Sequence, residues 1–169
     1  MGVDLNPPEP LTAELDVEDF CSGKSALDDW PKKYALQAAS SGTARTFVVV
    51  NRNHQIVAYY SLSMGQIAQK EGTDRIRKGT GRHPIPVIVL ARLAVDKEFQ
   101  GNGIGKGMLW DAVIRCANIS GEVAFRATIT HPLDDEARNF YLKFGFEPSP
   151  ISTDQLMILL KDIRKALDI

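Results

Sequence analysis

Residues 99–110 read FQGNGIGKGMLW, with a glycine at every second position from Gly101 to Gly107. An apolar run, IPVIVLARLAV (Ile85–Val95), comes before it, and MLWDAVIRCA comes after. Glycine-rich links from strand to helix hold anions, because backbone N–H groups point inward and the helix N-terminus adds partial positive charge. Spacing separates the known versions. A P-loop needs G-x-x-x-x-G-K-[ST], but Lys106 is followed by Gly107, and the first glycine of that pattern would fall on Gln100. The dinucleotide pattern G-x-G-x-x-G would place its last glycine on Lys106 or Met108. Both fail. What stands is Gln100-x-x-Gly103-x-Gly105, which spacing alone leaves open between an anion loop and an ordinary turn.

Outward from this loop the pattern is mixed. Ile85–Val95 has little polar relief except Arg92, so it reads as a central strand, with a helix following over about Gly105–Asn118. RTFVVV (45–50) and QIVAYYSLSM (55–64) are β-branched and aromatic, joined by NRNH, and read as an antiparallel hairpin. VAFRATIT (123–130) and LMILLK (156–161) read as strands, and the tail as a short helix. NPPEP (6–10) reads as a loose lead-in and LTAELD (11–16) as a short first strand. Ser25–Ala39 has apolar residues at helical spacing, interrupted by Pro31. Residues 66–84 read as a polar, basic, glycine-bearing excursion, either long or partly helical. In the segment 134–146, Asp134 caps a helix that Gly145 stops, and Ala137, Tyr141 and Phe144 share the face that packs on the sheet. The expectation is one mixed α/β domain over residues 1–169.

Charge is unevenly spread on a chain of net charge −1. Residues 1–30 carry eight acids and one base, whereas residues 31–92 carry ten bases and two acids. A local basic block on a near-neutral chain points to a local anionic partner. No 18-residue apolar run and no basic-then-apolar leader are present, so a cytoplasmic chain is expected, with no membrane partner. His54, His83 and His131 lack metal-ligand spacing, and Cys21 and Cys116 stand apart, so no metal is expected.

Taken together, Leu93-Ala94-Val95, the Gln100-x-x-Gly103-x-Gly105 loop with its helix, and Ala137…Asn139-Phe140-Tyr141…Gly145-Phe146 resemble the GNAT superfamily of acetyl-coenzyme A-dependent N-acetyltransferases. The resemblance implies a central mixed, mostly antiparallel sheet flanked by helices, with the strand ending near Val95 splayed from the strand VAFRATIT at the acetyl-CoA site. The pantetheine arm would pair with backbone groups of Leu93 and Val95, either side of Ala94. The pyrophosphate would lie on the backbone of Gln100, Gly101, Asn102, Gly103, Ile104, Gly105 and Lys106. Asn139 would contact the coenzyme, and Tyr141 would be the general acid. LDDW (27–30), ARTFVVV (44–50), IPVIVLARLAVD (85–96) and RNFY (138–141) further resemble the GNAT toxins of toxin–antitoxin modules. Those toxins acetylate the α-amine of aminoacyl-tRNA and stop translation, so the resemblance implies a ribbon-helix-helix antitoxin and a homodimer.

The basic block suits such a substrate. Lys32, Lys33, Arg75, Arg77, Lys78, Arg82 and Arg92 are the candidate tRNA contacts. No carboxylate stands out as a base, which fits an acceptor α-amine, since α-amines titrate about 2.5 units below lysine. A tyrosine near pKa 10 giving its proton to a thiolate near 8.5 is uphill by roughly 2 kcal/mol in water. Burial of the thiolate is expected to shrink that gap. Two other classes fit the same loop: an acetyltransferase of a protein N-terminus, lysine or small amine, and a non-catalytic module that binds coenzyme A.

Overall fold

The computed structural model describes residues 5–169; the first four residues of the acidic N-terminal lead lie outside the described residues. In chain order the elements are β1 (Glu9–Pro10), α1 (Ser25–Asp29), a wide turn (Trp30–Tyr34), α2 (Ala35–Ser41), β2 (Arg45–Val50) and β3 (Ile56–Ile67). Then come α3 (Asp74–Arg77), β4 (Ile85–Val95), α4 (Ile104–Ile119), β5 (Ala127–Thr130), α5 (Asp135–Phe144), β6 (Glu147–Ser149), β7 (Ser152–Leu159) and α6 (Leu160–Leu167). The strands are hydrogen-bonded in the order β1-β2-β3-β4-β5-β7-β6. The pairs β1–β2, β2–β3, β5–β7 and β6–β7 are antiparallel, and β4–β5 is parallel. This is the mixed, mostly antiparallel sheet with helices that the sequence implies.

The chain divides into two compact units. The first holds residues up to Ser63 together with Ala91–Ala112; the second holds Met64–Leu90 and Val113–Ile169.

In the first unit, alternation on β2 and β3 sends Val48, Val50 and Tyr59 into a cluster with Leu11, Phe20, Ala35 and Ala94. Leu27 and Trp30 pack against the same cluster. On the other strand face Phe47 stacks on Tyr60 at 5.3 Å, and the Tyr60 hydroxyl donates to Asp111 of α4 at 2.5 Å. Pro31 falls where the helical pattern breaks. Between α1 and α2 the backbone opens into one wide turn, in which the Ala35 N–H reaches back five residues to the Trp30 carbonyl.

In the second unit Ile67, Ile76, Ile85, Val87, Ala127, Ile129, Met157 and Leu159 form the core. The parallel ladder runs from Val87↔Ala127 to Val89↔Ile129. The strand β5 ends at Thr130, whose hydroxyl donates to the Leu90 carbonyl at 2.9 Å. Cys116 is buried, and burial pushes its thiol up to about 11, so it stays neutral.

Several expectations need correction. The first strand is Glu9–Pro10, inside the supposed lead-in, and LTAELD is not a strand. A proline ends this edge strand because an edge position needs no donor on its outer side. The strand β3 runs to Ile67, three residues past the expected end. VAFRATIT is a strand only over its last four residues; Val123 is half exposed, and apolar character there does not pair. The strand β6 was not anticipated, because Glu147-Pro148-Ser149 carries no β signal of its own. The ends of α5 agree: the Asp134 carboxylate accepts from the Ala137 N–H at 2.9 Å, and Gly145 stops the helix at φ +117°. Asp134→Ala should therefore lower stability by about 1 kcal/mol. The denaturant midpoint should fall with an unchanged slope; an unmoved midpoint would mean the cap is dispensable.

Candidate functional site

In the first unit the site begins where β4 ends. Asp96 is 3% exposed, and its carboxylate accepts from the N–H groups of Cys21 and Glu98, each at 3.0 Å. Gln100 follows, and its side-chain amide donates to the carbonyls of Val95 (2.9 Å) and Ser22 (3.0 Å). The Gln100 side chain is thus a strut, and its backbone is the part left for a ligand. Asn102, though exposed, likewise bonds back within the loop, donating to the Phe99 carbonyl at 3.0 Å.

The two strutted residues alternate with Gly101 (φ +84°) and Gly103 (φ +78°). Positive φ makes glycine the natural choice at both. The first bond of α4 is from Gly107 N–H to the Gly103 carbonyl, 3.1 Å. Helix geometry leaves the N–H groups of Ile104, Gly105 and Lys106 without an acceptor inside the helix. A Cβ placed on Gly101, Gly103 or Gly107 would meet no protein atom within 4 Å. No crowding within the chain demands bare backbone there. An open, donor-lined cradle at a helix N-terminus fits a diphosphate.

The rest of the first unit's candidates divide by burial. Ala94 is buried in the core cluster, and Leu93 and Val95 are half-buried on either side of it. Lys33 pairs with Asp29 at 3.2 Å, and Lys32 is half-buried. Arg92 lies with its guanidinium 3.8 Å from the centre of the Trp30 ring.

The second unit carries Tyr141, 5% exposed on α5 and packed between Phe140 and Phe146 at ring distances of 5.2 and 5.4 Å. Burial pushes its hydroxyl up to about 12, and the Thr130 hydroxyl beside it pulls the other way. Asn139 is exposed on the same helix. Of the basic residues here, Arg75 grips Asp162 through two bonds of 2.7 Å and holds that carboxyl below its usual range. Arg77 pairs with Asp74, and Lys78 and Arg82 are exposed. The turn carrying Arg75, Arg77 and Lys78 is fixed from beneath by Arg126, a residue the sequence reading passed over. Its guanidinium donates to the carbonyls of Arg75 (2.9 Å), Ile76 (3.0 Å) and Lys78 (3.0 Å). Only its position inside an expected strand hinted at burial. Among the described residues no cluster of three or more His, Cys, Asp or Glu is placed to hold a metal ion.

A family model described as "Acetyltransferase (GNAT) domain" matches residues 43–148, which include the whole of β4, the glycine loop and Tyr141. The chain belongs to the GNAT acetyltransferases. It is therefore an acyltransferase, and acetyl-coenzyme A is its donor. A curated relative, the "tRNA-acetylating toxin" of Mycobacterium tuberculosis, is 41% identical over 157 residues, covering 93% of each chain. Solved GNAT structures share the fold. AtaT complexed with acetyl-methionyl-tRNAfMet superposes with a TM-score of 0.88 at 24% identity, covering 97% of this chain and 99% of the other. A tyrosine-to-phenylalanine variant of AtaT bound to the C-terminus of the antitoxin AtaR and acetyl-CoA gives 0.81 at 24% identity, covering 98% and 99%.

In this GNAT acetyltransferase the loop geometry makes a direct test. Gly103→Val places a branched side chain at φ +78° in the open cradle. Strain should cost roughly 1–2 kcal/mol of stability. Acetyl-CoA binding, read by calorimetry, should be lost from a chain that still folds. Unchanged affinity would remove the loop from the coenzyme site.

Proposed function

We propose that the chain, acting as one domain over residues 1–169, transfers acetyl from acetyl-CoA to the α-amine of aminoacyl-tRNA and so blocks translation. The observation that carries this reading is the 41% identity, along 93% of the chain, to a tRNA-acetylating toxin. In the same reading the protein works in the cytoplasm as a homodimer and is neutralised by a ribbon-helix-helix antitoxin. No helix of the described residues is long and apolar enough to cross a membrane.

The proposed chemistry assigns a task to each group. The backbone of Gln100–Lys106 holds the pyrophosphate, and the β4 backbone at Leu93 and Val95 holds the pantetheine arm. Asn139, exposed on α5, contacts the coenzyme. The acceptor nitrogen forms a bond to the thioester carbonyl carbon, and the carbon–sulfur bond breaks. Tyr141 gives its proton to the departing sulfur, and water takes the proton released from nitrogen. Burial keeps Tyr141 protonated at any working pH, since its hydroxyl lies near 12. The same burial widens the mismatch to a solvated thiol to about 3.5 units, roughly 5 kcal/mol. The leaving sulfur must therefore be desolvated where it is protonated.

Lys32, Lys33, Arg75, Arg77, Lys78, Arg82 and Arg92 are the proposed tRNA contacts. Lys78 and Arg82 are exposed. Arg75 and Arg77 must first leave Asp162 and Asp74.

Radiolabelled acetyl from acetyl-CoA should pass to charged tRNA and not to uncharged tRNA. Labelling of neither would end this reading. Tyr141→Phe should lower turnover about 10²–10⁴-fold. For the wild type, turnover should rise with pH as the amine loses its proton near 8 and then stay level to about pH 10. A fall beginning near pH 9 would mean that the acid's proton is not held as the burial of Tyr141 implies. Lys78→Ser and Arg82→Ser should each flatten the salt dependence of charged-tRNA binding by up to about 0.9 in log–log slope.

A further inference from the structure

The LDDW stretch (27–30) is used residue by residue. The Leu27 carbonyl accepts from the Tyr59 hydroxyl at 2.6 Å. The Asp28 carboxylate accepts from the N–H and the hydroxyl of Ser22, both at 2.7 Å. Asp29 pairs with Lys33. Trp30 donates its indole N–H to the Thr46 hydroxyl at 2.9 Å, which fixes the ring from one edge. Its carbonyl anchors the five-residue turn at Pro31. Such widened turns concentrate at functional sites. The ring so fixed carries the Arg92 guanidinium on its face at 3.8 Å.

Arg92 is half-buried, and among the described residues no carboxylate pairs with it. Stacking occupies a guanidinium face and leaves its N–H edges, five donors in a rigid fork, for an acceptor. Ser61 adds a second observation. It is the cross-strand partner of Thr46, is fully buried, and its hydroxyl has no hydrogen-bond partner among the described residues. Cross-strand partners point to one face, so an unmatched polar group lies beside the Thr46 anchor of the indole.

We propose that Trp30 is a positioning residue that presents Arg92 to a phosphodiester of the acceptor substrate, the one next to the terminal nucleotide that bears the amino acid. The assignment rests on the aminoacyl-tRNA reading above. An uncompensated guanidinium in a stacked, preset orientation matches a phosphate through two parallel N–H bonds. Arg92 immediately precedes Leu93–Val95, the segment assigned to the pantetheine arm, so it is the member of the basic block nearest in sequence to that segment. The phosphodiester next to the terminal nucleotide is in turn the anion nearest the reacting amine.

Three acceptors separate the possibilities: an aminoacylated adenosine without a phosphodiester, an aminoacylated cytidylyl-adenosine with one, and charged tRNA. Arg92→Gln should raise KM for the dinucleotide about 10- to 100-fold more than for the adenosine, the range of a charge-assisted hydrogen bond. Trp30→Leu should raise the same ratio about 2- to 30-fold. The double variant should be no worse than Arg92→Gln alone, because the ring acts through the guanidinium. Trp30→Phe, which keeps a ring face, should stay closer to wild type than Trp30→Leu and guards against a folding defect. Equal KM changes for adenosine and dinucleotide, or independent losses in the double variant, would overturn the assignment while leaving the acceptor reading intact. A wild-type protein that acetylates none of the three would overturn the acceptor reading, and this assignment with it.

Discussion

One buried carboxylate organises the first unit. Asp96 closes β4, and burying its charge is tolerable only because backbone N–H groups from two segments answer it. Its own N–H donates to the Val57 carbonyl at 2.8 Å, and the next residue, Lys97, donates to the Cys21 carbonyl at 2.8 Å. From that point the connections continue without a gap. Gln100 ties the end of β4 to Ser22, Ser22 is held by Asp28, and the helix of Asp28 supplies the carbonyl for Tyr59. The glycine loop can afford positive φ at two positions because residues between and beside them are anchored to β4 and to the segment before α1. Donors for a diphosphate are useful only if their directions are set before the ligand arrives.

Much of this was legible in the sequence, and the rest was hidden for identifiable reasons. The glycine loop, the start of α4, and both ends of α5 follow from local rules: left-handed glycines, an aspartate cap and helical spacing. The strand β1 did not, because two residues flanked by prolines have no periodicity to read; the β2 edge decides it. VAFRATIT misled because apolar character does not say whether a partner strand extends that far. Gln100 was rightly placed in the loop, but its side-chain amide is taken up by backbone carbonyls, and no pattern distinguishes a strut from a ligand. The work of Asp96 and Arg126 is nonlocal, between residues 75 and about 50 positions apart respectively, and a single sequence carries no signal for it.

Tyr141 shows how one environment serves two requirements. In the proposed role of general acid it must hold its proton until the transition state, and burial among Phe140 and Phe146 favours that. The same burial makes the phenol a reluctant donor toward a solvated thiolate. Both conditions are met if the developing thiolate is equally deprived of water, since desolvation raises the basicity of sulfur as it raises that of the phenolate. With Tyr141 as the proposed acid, the chemistry would depend on the absence of water near it more than on the phenol's ordinary acidity.

The basic excess of residues 31–92 divides in three dimensions into charges with different consequences for binding. Arg75, Arg77 and Lys33 each have an acid of their own chain. Exposed pairs of this kind are worth little, so a phosphate can displace the carboxylate. The displaced acid then stands near the incoming anion, and part of the attraction is lost again. In the proposed tRNA complex such residues would act as a weakly attractive surface rather than as fixed contacts. Among the described residues Arg92 has no acid to release, and an aromatic face sets its orientation. Less side-chain entropy remains to be lost on binding there. Of the basic residues in the block, it is therefore the one in which charge translates most fully into position.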